Sequence, residues 1–94
     1  MKVFSWDAKK NEWLKAHRGV SFEEVLFHIE KGGLLDRLVH PNKMKYPGQQ
    51  LFVINMDDYV FLVPFVENDR EIFLKTVIPS RKATRDYLGG GSHE

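Results

Sequence analysis

Cysteine is absent from this chain. That excludes a disulfide framework and any thiolate metal site, and it leaves the redox compartment unread. Long hydrophobic runs are also missing. None approaches the roughly 18 residues of a membrane span, and the N-terminus carries no signal-peptide hydrophobic region. The expectation is a soluble cytoplasmic protein. Neither sign of charge is in large excess, because 14 Lys and Arg face 13 Asp and Glu for a net +1. What is present is a core: 43% of the 94 residues are hydrophobic and 13% aromatic, which is not the composition of a disordered segment. The length predicts one domain, near the small end of what folds alone.

The arrangement of charge says more than its sum. Residues 2–18 carry a net +3, residues 23–36 a net −3, and residues 37–45, with Arg37, Lys43 and Lys45, a net +3. Residues 57–71 then carry −4 and residues 75–86 carry +3. Three basic blocks separated by acidic ones can fold into one positive and one negative face, or can simply solvate helices and turns. The last basic block is the densest. It holds Lys75, Arg81, Lys82 and Arg85 against Asp86, at a point where a strand-like run stops at Pro79. A nearly neutral chain with its cations gathered at one strand-to-helix junction is expected to hold an anion there, with phosphate the first candidate.

Local signals predict the elements. Val3-Phe4-Ser5-Trp6 is strand-compatible and ends at Asp7, a good N-cap. A helix to about His17 follows, with Trp13, Leu14 and Ala16 apolar, and Gly19 stops it. Ser21-Phe22-Glu23-Glu24 fits a capping box, flanked by Val20 and Val25 as a hydrophobic staple. Val25, Leu26 and Ile29, with Phe22 one turn earlier, form the buried stripe of the second helix, which Gly32-Gly33 ends. Strands are expected over Leu34–Val39, Leu51–Met56, Tyr59–Val66 and Ile72–Ile78. Asp57-Asp58 supplies a two-residue hairpin turn without the preferred glycine. Pro64 argues for an edge or bulge. Ser80 caps a last helix to about Leu88, and 89–94 reads as a flexible glycine-rich tail. The fold class is therefore α+β, in the order β-α-α-β-β-β-β-α. Its four- to five-stranded sheet is mostly antiparallel, with the two N-terminal helices and the short C-terminal helix packed on one side.

Two segments resemble one family. Trp6-Asp7, Lys10 and Gly19-Val20-Ser21-Phe22-Glu23-Glu24 resemble the N-terminal signature of BrnT-type toxins, and Ile78-Pro79-Ser80-Arg81-Lys82-Ala83-Thr84 is similar to that family's C-terminal element. The resemblance spans about residues 3–25 and 71–88. It implies a RelE-like fold and a ribonuclease toxin of a type II toxin–antitoxin pair. Such a toxin inhibits translation by cutting RNA (messenger RNA, with or without the ribosome) and uses no metal or cofactor. The partner it implies is a cognate antitoxin, with a toxin–antitoxin heterotetramer as the assembly and no membrane involved. The chain departs from the pattern at Arg18, which stands where the family has histidine, and at Thr76, which stands where it often has arginine.

Cleavage of this kind moves a 2′-hydroxyl onto the neighbouring phosphorus. It needs a base for the proton, cations for the phosphorane oxygens and an acid for the leaving 5′-oxygen. Arg81 suits the phosphorane, because its planar fork matches two phosphate oxygens. Lys82 and Arg85 are placed for a flanking phosphate, and Lys75, Lys43, Lys45, Arg18 and Lys10 are further candidates for RNA contact. The acid–base candidates are His17, His40, Tyr87 and Tyr46. Each has a plainer reading: His17 can satisfy helix-end carbonyls, Tyr87 can pack the last helix, and Arg81 can pair with Glu23 or Glu24. His28 reads as a surface residue, and Trp6 and Trp13 as core.

Two other readings use the same residues. A toxin-fold module without strong catalysis would bind RNA, ribosome or protein through the basic face, and the near-neutral charge favours it over a large cationic ribosome-binding surface. A structural partner would use the apolar strand Tyr59–Val66 as an exposed edge that accepts a strand or helix of the antitoxin.

Overall fold

A computed structural model of the chain describes residues 2–89. Apart from Gly89, the expected glycine-rich tail lies outside the described residues. The elements are β1 (Val3–Ser5), α1 (Ala8–Arg18), α2 (Phe22–Glu30), β2 (Leu34–Val39), β3 (Gln50–Met56), β4 (Tyr59–Glu67), β5 (Glu71–Leu74), β6 (Ile78–Pro79) and α3 (Arg81–Leu88). The class is α+β. No helix among the described residues is long and apolar enough to cross a membrane.

Short-range chemistry starts each helix as the residues dictate. The Asp7 side chain accepts from the Lys9 amide, and the Ser21 hydroxyl accepts from the Glu24 amide at 3.2 Å. Glu24 meets the Ser21 hydroxyl at 3.4 Å, while Val20 and Val25 both pack into the core. Ser80 accepts from the Ala83 amide at 3.0 Å. Gly19 and Gly89 close α1 and α3 in the left-handed conformation. Gly33 is needed for a different reason. It bridges α2 to β3 through His28 and Asn55, and a β-carbon there would sit 2.6 Å from the Asn55 carbonyl oxygen.

The sheet runs β1-β5-β4-β3-β2, with β6 also paired to β4. It is mixed: β1 lies parallel to β5, and every other pairing is antiparallel. The expected single strand over Ile72–Ile78 is split into β5 and β6, with 75–77 outside both. Pro64 explains the split. It sits inside the central strand β4, opposite Leu51 of β3, rather than at an edge. Its carbonyl accepts from the Lys75 amide at 2.8 Å, so its ring nitrogen, with no hydrogen to donate, faces the same flank. The partner strand breaks where that donor is missing. Because β4 has neighbours on both flanks, it offers no open edge, and the antitoxin-strand reading of Tyr59–Val66 fails. The open edges are β1 and β2.

The helices do not share one side. Leu14 of α1 and Phe22 and Val25 of α2 pack on Phe52, Ile54, Met56, Val63, Phe65, Leu74 and Val77. Alternation along the strands turns Val53 and Val60 to the other face, where Ala83 and Leu88 of α3 cover them. The sheet is thus sandwiched, thickly on the α1–α2 face and thinly on the α3 face. Trp6 stacks on Phe22 with ring centroids 5.4 Å apart, as a core residue should. Trp13 does not join the core and is 39% exposed.

Candidate functional site

The start of α3 is fixed to β4 by backbone chemistry. The Ser80 amide donates to the Val60 carbonyl at 3.0 Å, and the Val60 amide donates to the Thr84 hydroxyl at 2.9 Å. The Thr84 hydroxyl in turn donates to the Ser80 carbonyl at 2.7 Å. These three bonds hold the first turn of α3, and Arg81 and Lys82 are its first two residues. No acid stands in that turn. The exposed Arg81 and Lys82 make no ion pair or side-chain hydrogen bond among the described residues. Glu23 and Glu24, the acids that would have neutralised Arg81, are engaged on the opposite face by Asn11 and Ser21. Asn11 is also the first reason that the Glu23 carboxyl is held below its ordinary 4.5.

Arg81, Thr84, Arg85 and Leu88 recur at helical spacing and share one face of α3. With Asp58 of the β3–β4 turn and Tyr59 at the start of β4 they line an open groove of about 500 Å³. Arg85 makes one loose pair, with Asp86 at 3.9 Å. Asp57 and Asp58 form the β3–β4 turn with φ values of 57° and 65°, both left-handed, as a two-residue hairpin requires. The Asp58 amide donates to Asn55 Oδ1 at 2.9 Å. Tyr59 and Asp58 were not singled out as site residues in the sequence. Their turn was legible there, but their approach to α3 depends on which face that helix covers.

The acid–base candidates do not converge on Arg81. Tyr87 donates its hydroxyl hydrogen to Asp36 Oδ2 of β2 at 2.9 Å. That bond, with burial and the charges of Asp36 and Asp86, raises the Tyr87 pKa above its usual 10. A phenol so held is a poor base. His40 lies at the other end of the β2–β3 hairpin from the groove. β3 alone spans roughly 20 Å, too far for His40 and Arg81 to work at one phosphate. There His40 accepts from the Asn42 amide at 3.1 Å and packs on Tyr46 with centroids 4.4 Å apart. Lys45 sits over the same Tyr46 ring, while Lys43 belongs to the exposed loop that follows Pro41.

His17 lies on α1, across the sheet from α3. Its Nδ1 is 3.0 Å from the Trp13 carbonyl and its ring stacks on Trp13 at 4.6 Å. Lys10 covers the same indole with its ammonium 4.3 Å from the ring centre, and Arg18 approaches at 5.1 Å. Arg18 also donates to the Val77 carbonyl at 2.6 Å, inside the break between β5 and β6. Lys75 leans over Phe73 at 5.7 Å. Thr76 turns a hydroxyl inward that finds no hydrogen-bond partner among the described residues. The predicted site residues thus fall into three sets, the first two being Arg81 and Arg85 at the groove with Lys82 beside them on the first turn of α3, and Lys10, His17 and Arg18 around Trp13. Lys43, Lys45 and His40 form a separate loop cluster.

Fold and site together define a small α+β protein whose mixed sheet is covered on both faces and which carries a cationic groove beside its last helix. Compared with models of known families, with curated proteins and with solved structures, the chain gives no match in any of the three.

Proposed function

We propose that this protein is an endoribonuclease toxin of a type II toxin–antitoxin pair, as its two end segments suggest. It acts in the cytoplasm without metal or cofactor, cuts messenger RNA to halt translation, and is held in check by an antitoxin protein. The observation that carries this reading is the uncommitted pair Arg81–Lys82 at the start of α3. Cations there oppose the helix dipole, at about 0.3–1 kcal/mol each near a helix end. No acid pairs with either of them to offset that cost, and a bound phosphate would.

In the reaction, the 2′-oxygen attacks the adjacent phosphorus and the bond to the 5′-oxygen breaks. The products are a 2′,3′-cyclic phosphate and a 5′-hydroxyl, with the proton lost at the 2′-oxygen balanced by one gained at the 5′-oxygen. Arg81 stabilises the charge that gathers on the phosphorane oxygens, worth roughly 10²–10³ in rate for one fixed donor. Arg85, one turn on, and Lys82 hold the flanking phosphates. None of the acid–base candidates stands beside Arg81, so the proton lost at the 2′-oxygen and the one gained at the 5′-oxygen are exchanged with water.

A second reading keeps the same groove and drops the chemistry. The distance of His40 from Arg81, the place of His17 on the other face and the tie between Tyr87 and Asp36 favour a module that binds RNA or protein without cutting. Induction of the wild-type chain beside Arg81→Ala, followed by mapping of RNA ends in the cell, separates the two. The nuclease reading expects growth arrest with new RNA ends, both lost in a folded Arg81→Ala. Arrest with intact RNA would select the binding module, and the absence of arrest from both proteins would remove the toxin reading.

A further inference from the structure

β2 is the outer strand at one end of the sheet and pairs with β3 alone. All of its residues are exposed, although four of the six are Leu or Val. Leu38 and Val39 are 39% and 61% exposed. The other open edge, β1, has only three residues, whereas β2 is long enough to take a further strand. Its backbone is set for one. The His40 amide donates inward to the Gln49 carbonyl at 2.9 Å. Alternation then turns the backbone groups of Asp36 and Leu38 toward β3 and leaves those of Arg37 and Val39 facing outward. The Arg37 amide accordingly donates to Asp36 Oδ1, at 2.8 Å, and not to a strand. Side chains alternate as well, so Asp36, Leu38 and His40 lie on the α3 face, where Asp36 meets Tyr87. His40 Nδ1 accepts from the Asn42 amide, which leaves the ring proton on Nε2 as a donor.

We infer that β2 pairs with β2 of a second copy of this chain, antiparallel and centred on Leu38, about a two-fold axis normal to the sheet. One register serves. Shifts by an odd number of residues bring opposite faces together. Centring on Asp36 opposes two carboxylates, and centring on Arg37 opposes two guanidinium groups. Centring on Val39 sets Arg37 against the partner's Pro41, which has no amide to give. Centring nearer the start of the strand falls on its irregularity between Leu34 and Asp36. With Leu38 on the axis, Arg37 and the partner's Val39 exchange both backbone bonds, and Leu38 packs on the partner's Leu38. Asp36 stands opposite the partner's His40. The Arg37 amide passes from Asp36 Oδ1 to the partner's Val39 carbonyl, and the freed oxygen accepts from Nε2 of the partner's His40. No like charges meet, and no polar group is stranded. Both α3 helices lie on one face of the joined sheet, with their cationic grooves turned the same way. A single strand pair is smaller than an obligate interface, so the dimer is reversible.

The test is the mass of the full chain in solution, read by sedimentation equilibrium over a wide range of concentration, with the fold of each variant checked by circular dichroism. The wild type is expected to rise from 11.0 kDa toward twice that value. Leu38→Lys, which sets two ammonium groups face to face on the axis, should stay at one chain throughout. Val39→Pro should do the same, because it removes an outward amide that the fold does not use. His40→Gln keeps a donor and should dimerise. His40→Glu opposes two carboxylates and should weaken the dimer on the order of tenfold. A wild type that stays a monomer would overturn the inference. So would a dimer that survives either Leu38→Lys or Val39→Pro, since another surface would then join the copies. A dimer lost in those two variants yet unchanged in His40→Glu would overturn the register centred on Leu38.

Discussion

The two faces of the sheet treat their residues differently. On the α1–α2 face, Leu14, Phe22, Val25, Phe65 and Leu74 are fully buried in one cluster, and most of the cations there have partners, Lys9 being the exception. Lys10 and Arg18 lie on Trp13, Arg18 also holds the Val77 carbonyl, and Lys2 and Arg37 converge on Glu67. On the α3 face the buried set shrinks to Val53, Val60 and Ala83, and the cations at the start of the helix are uncommitted. One face spends most of its charges on the fold. The other leaves them for something outside it, and that asymmetry separates the candidate site from charged residues that merely look similar in the sequence.

The comparison can be broken first by cutting into each core. Phe65 is fully buried on the central strand, stacked on Phe52 with centroids 3.8 Å apart. Phe65→Ala should cost about 3–5 kcal/mol in denaturant unfolding. Leu88→Ala, on the thin face, should cost roughly 1 kcal/mol, because little apolar surface leaves contact. Equal losses would mean that α3 is as much a part of the core as the other helices.

A smaller effect probes the polar link inside the thick face. Asn11 is almost wholly buried, donates to Glu23 and accepts from the Phe22 amide, both at 2.8 Å. Asn11→Ala strands that amide and should cost about 1–3 kcal/mol by the same unfolding measurement. A loss well below this range would show that α1 and α2 are held by apolar contact alone.

The smallest expected effect concerns pH. The Glu67 carboxyl is held below its ordinary 4.5, first by the hydrogen bond from Lys2 and then by the charges of Arg37 and Lys2, with burial pulling the other way. A carboxyl depressed in the folded state contributes stability that is present above its unfolded pKa. That contribution is lost as pH falls through the lower folded value. Stability should therefore drop on acidification below about pH 4.5, and Glu67→Gln should flatten that drop. An unchanged acid slope in the variant would assign the effect to other carboxylates.

What was legible in the sequence was local. The caps at Asp7, Ser21 and Ser80, the Asp57-Asp58 turn and the span of α3 all follow from residues within four positions of one another. What escaped was set by contacts distant in sequence. The parallel pairing of β1 with β5 joins residues 68 positions apart. The break at 75–77 follows from a proline eleven residues earlier, whose flank could not be known before the sheet was assembled. Trp13 read as core because indoles usually are, yet Lys10, His17 and Arg18 surround it on the helix surface. The site divided in the same way. Arg81 was visible as a cation at a junction, whereas Asp58 joins it through the face that α3 covers, which helical periodicity alone does not determine.

The central claim is that the α3 cations, and not those around Trp13, hold the phosphates of RNA. Its most direct test is the salt dependence of binding to a single-stranded RNA with 2′-O-methyl riboses. Arg81→Ala and Lys82→Ala should each lower the slope of log K against log salt by about 0.7, the value of one phosphate contact on a single strand. Lys10→Ala should leave the slope unchanged. A slope that falls with Lys10→Ala and holds with Arg81→Ala and Lys82→Ala would contradict the account and move the site to the other face.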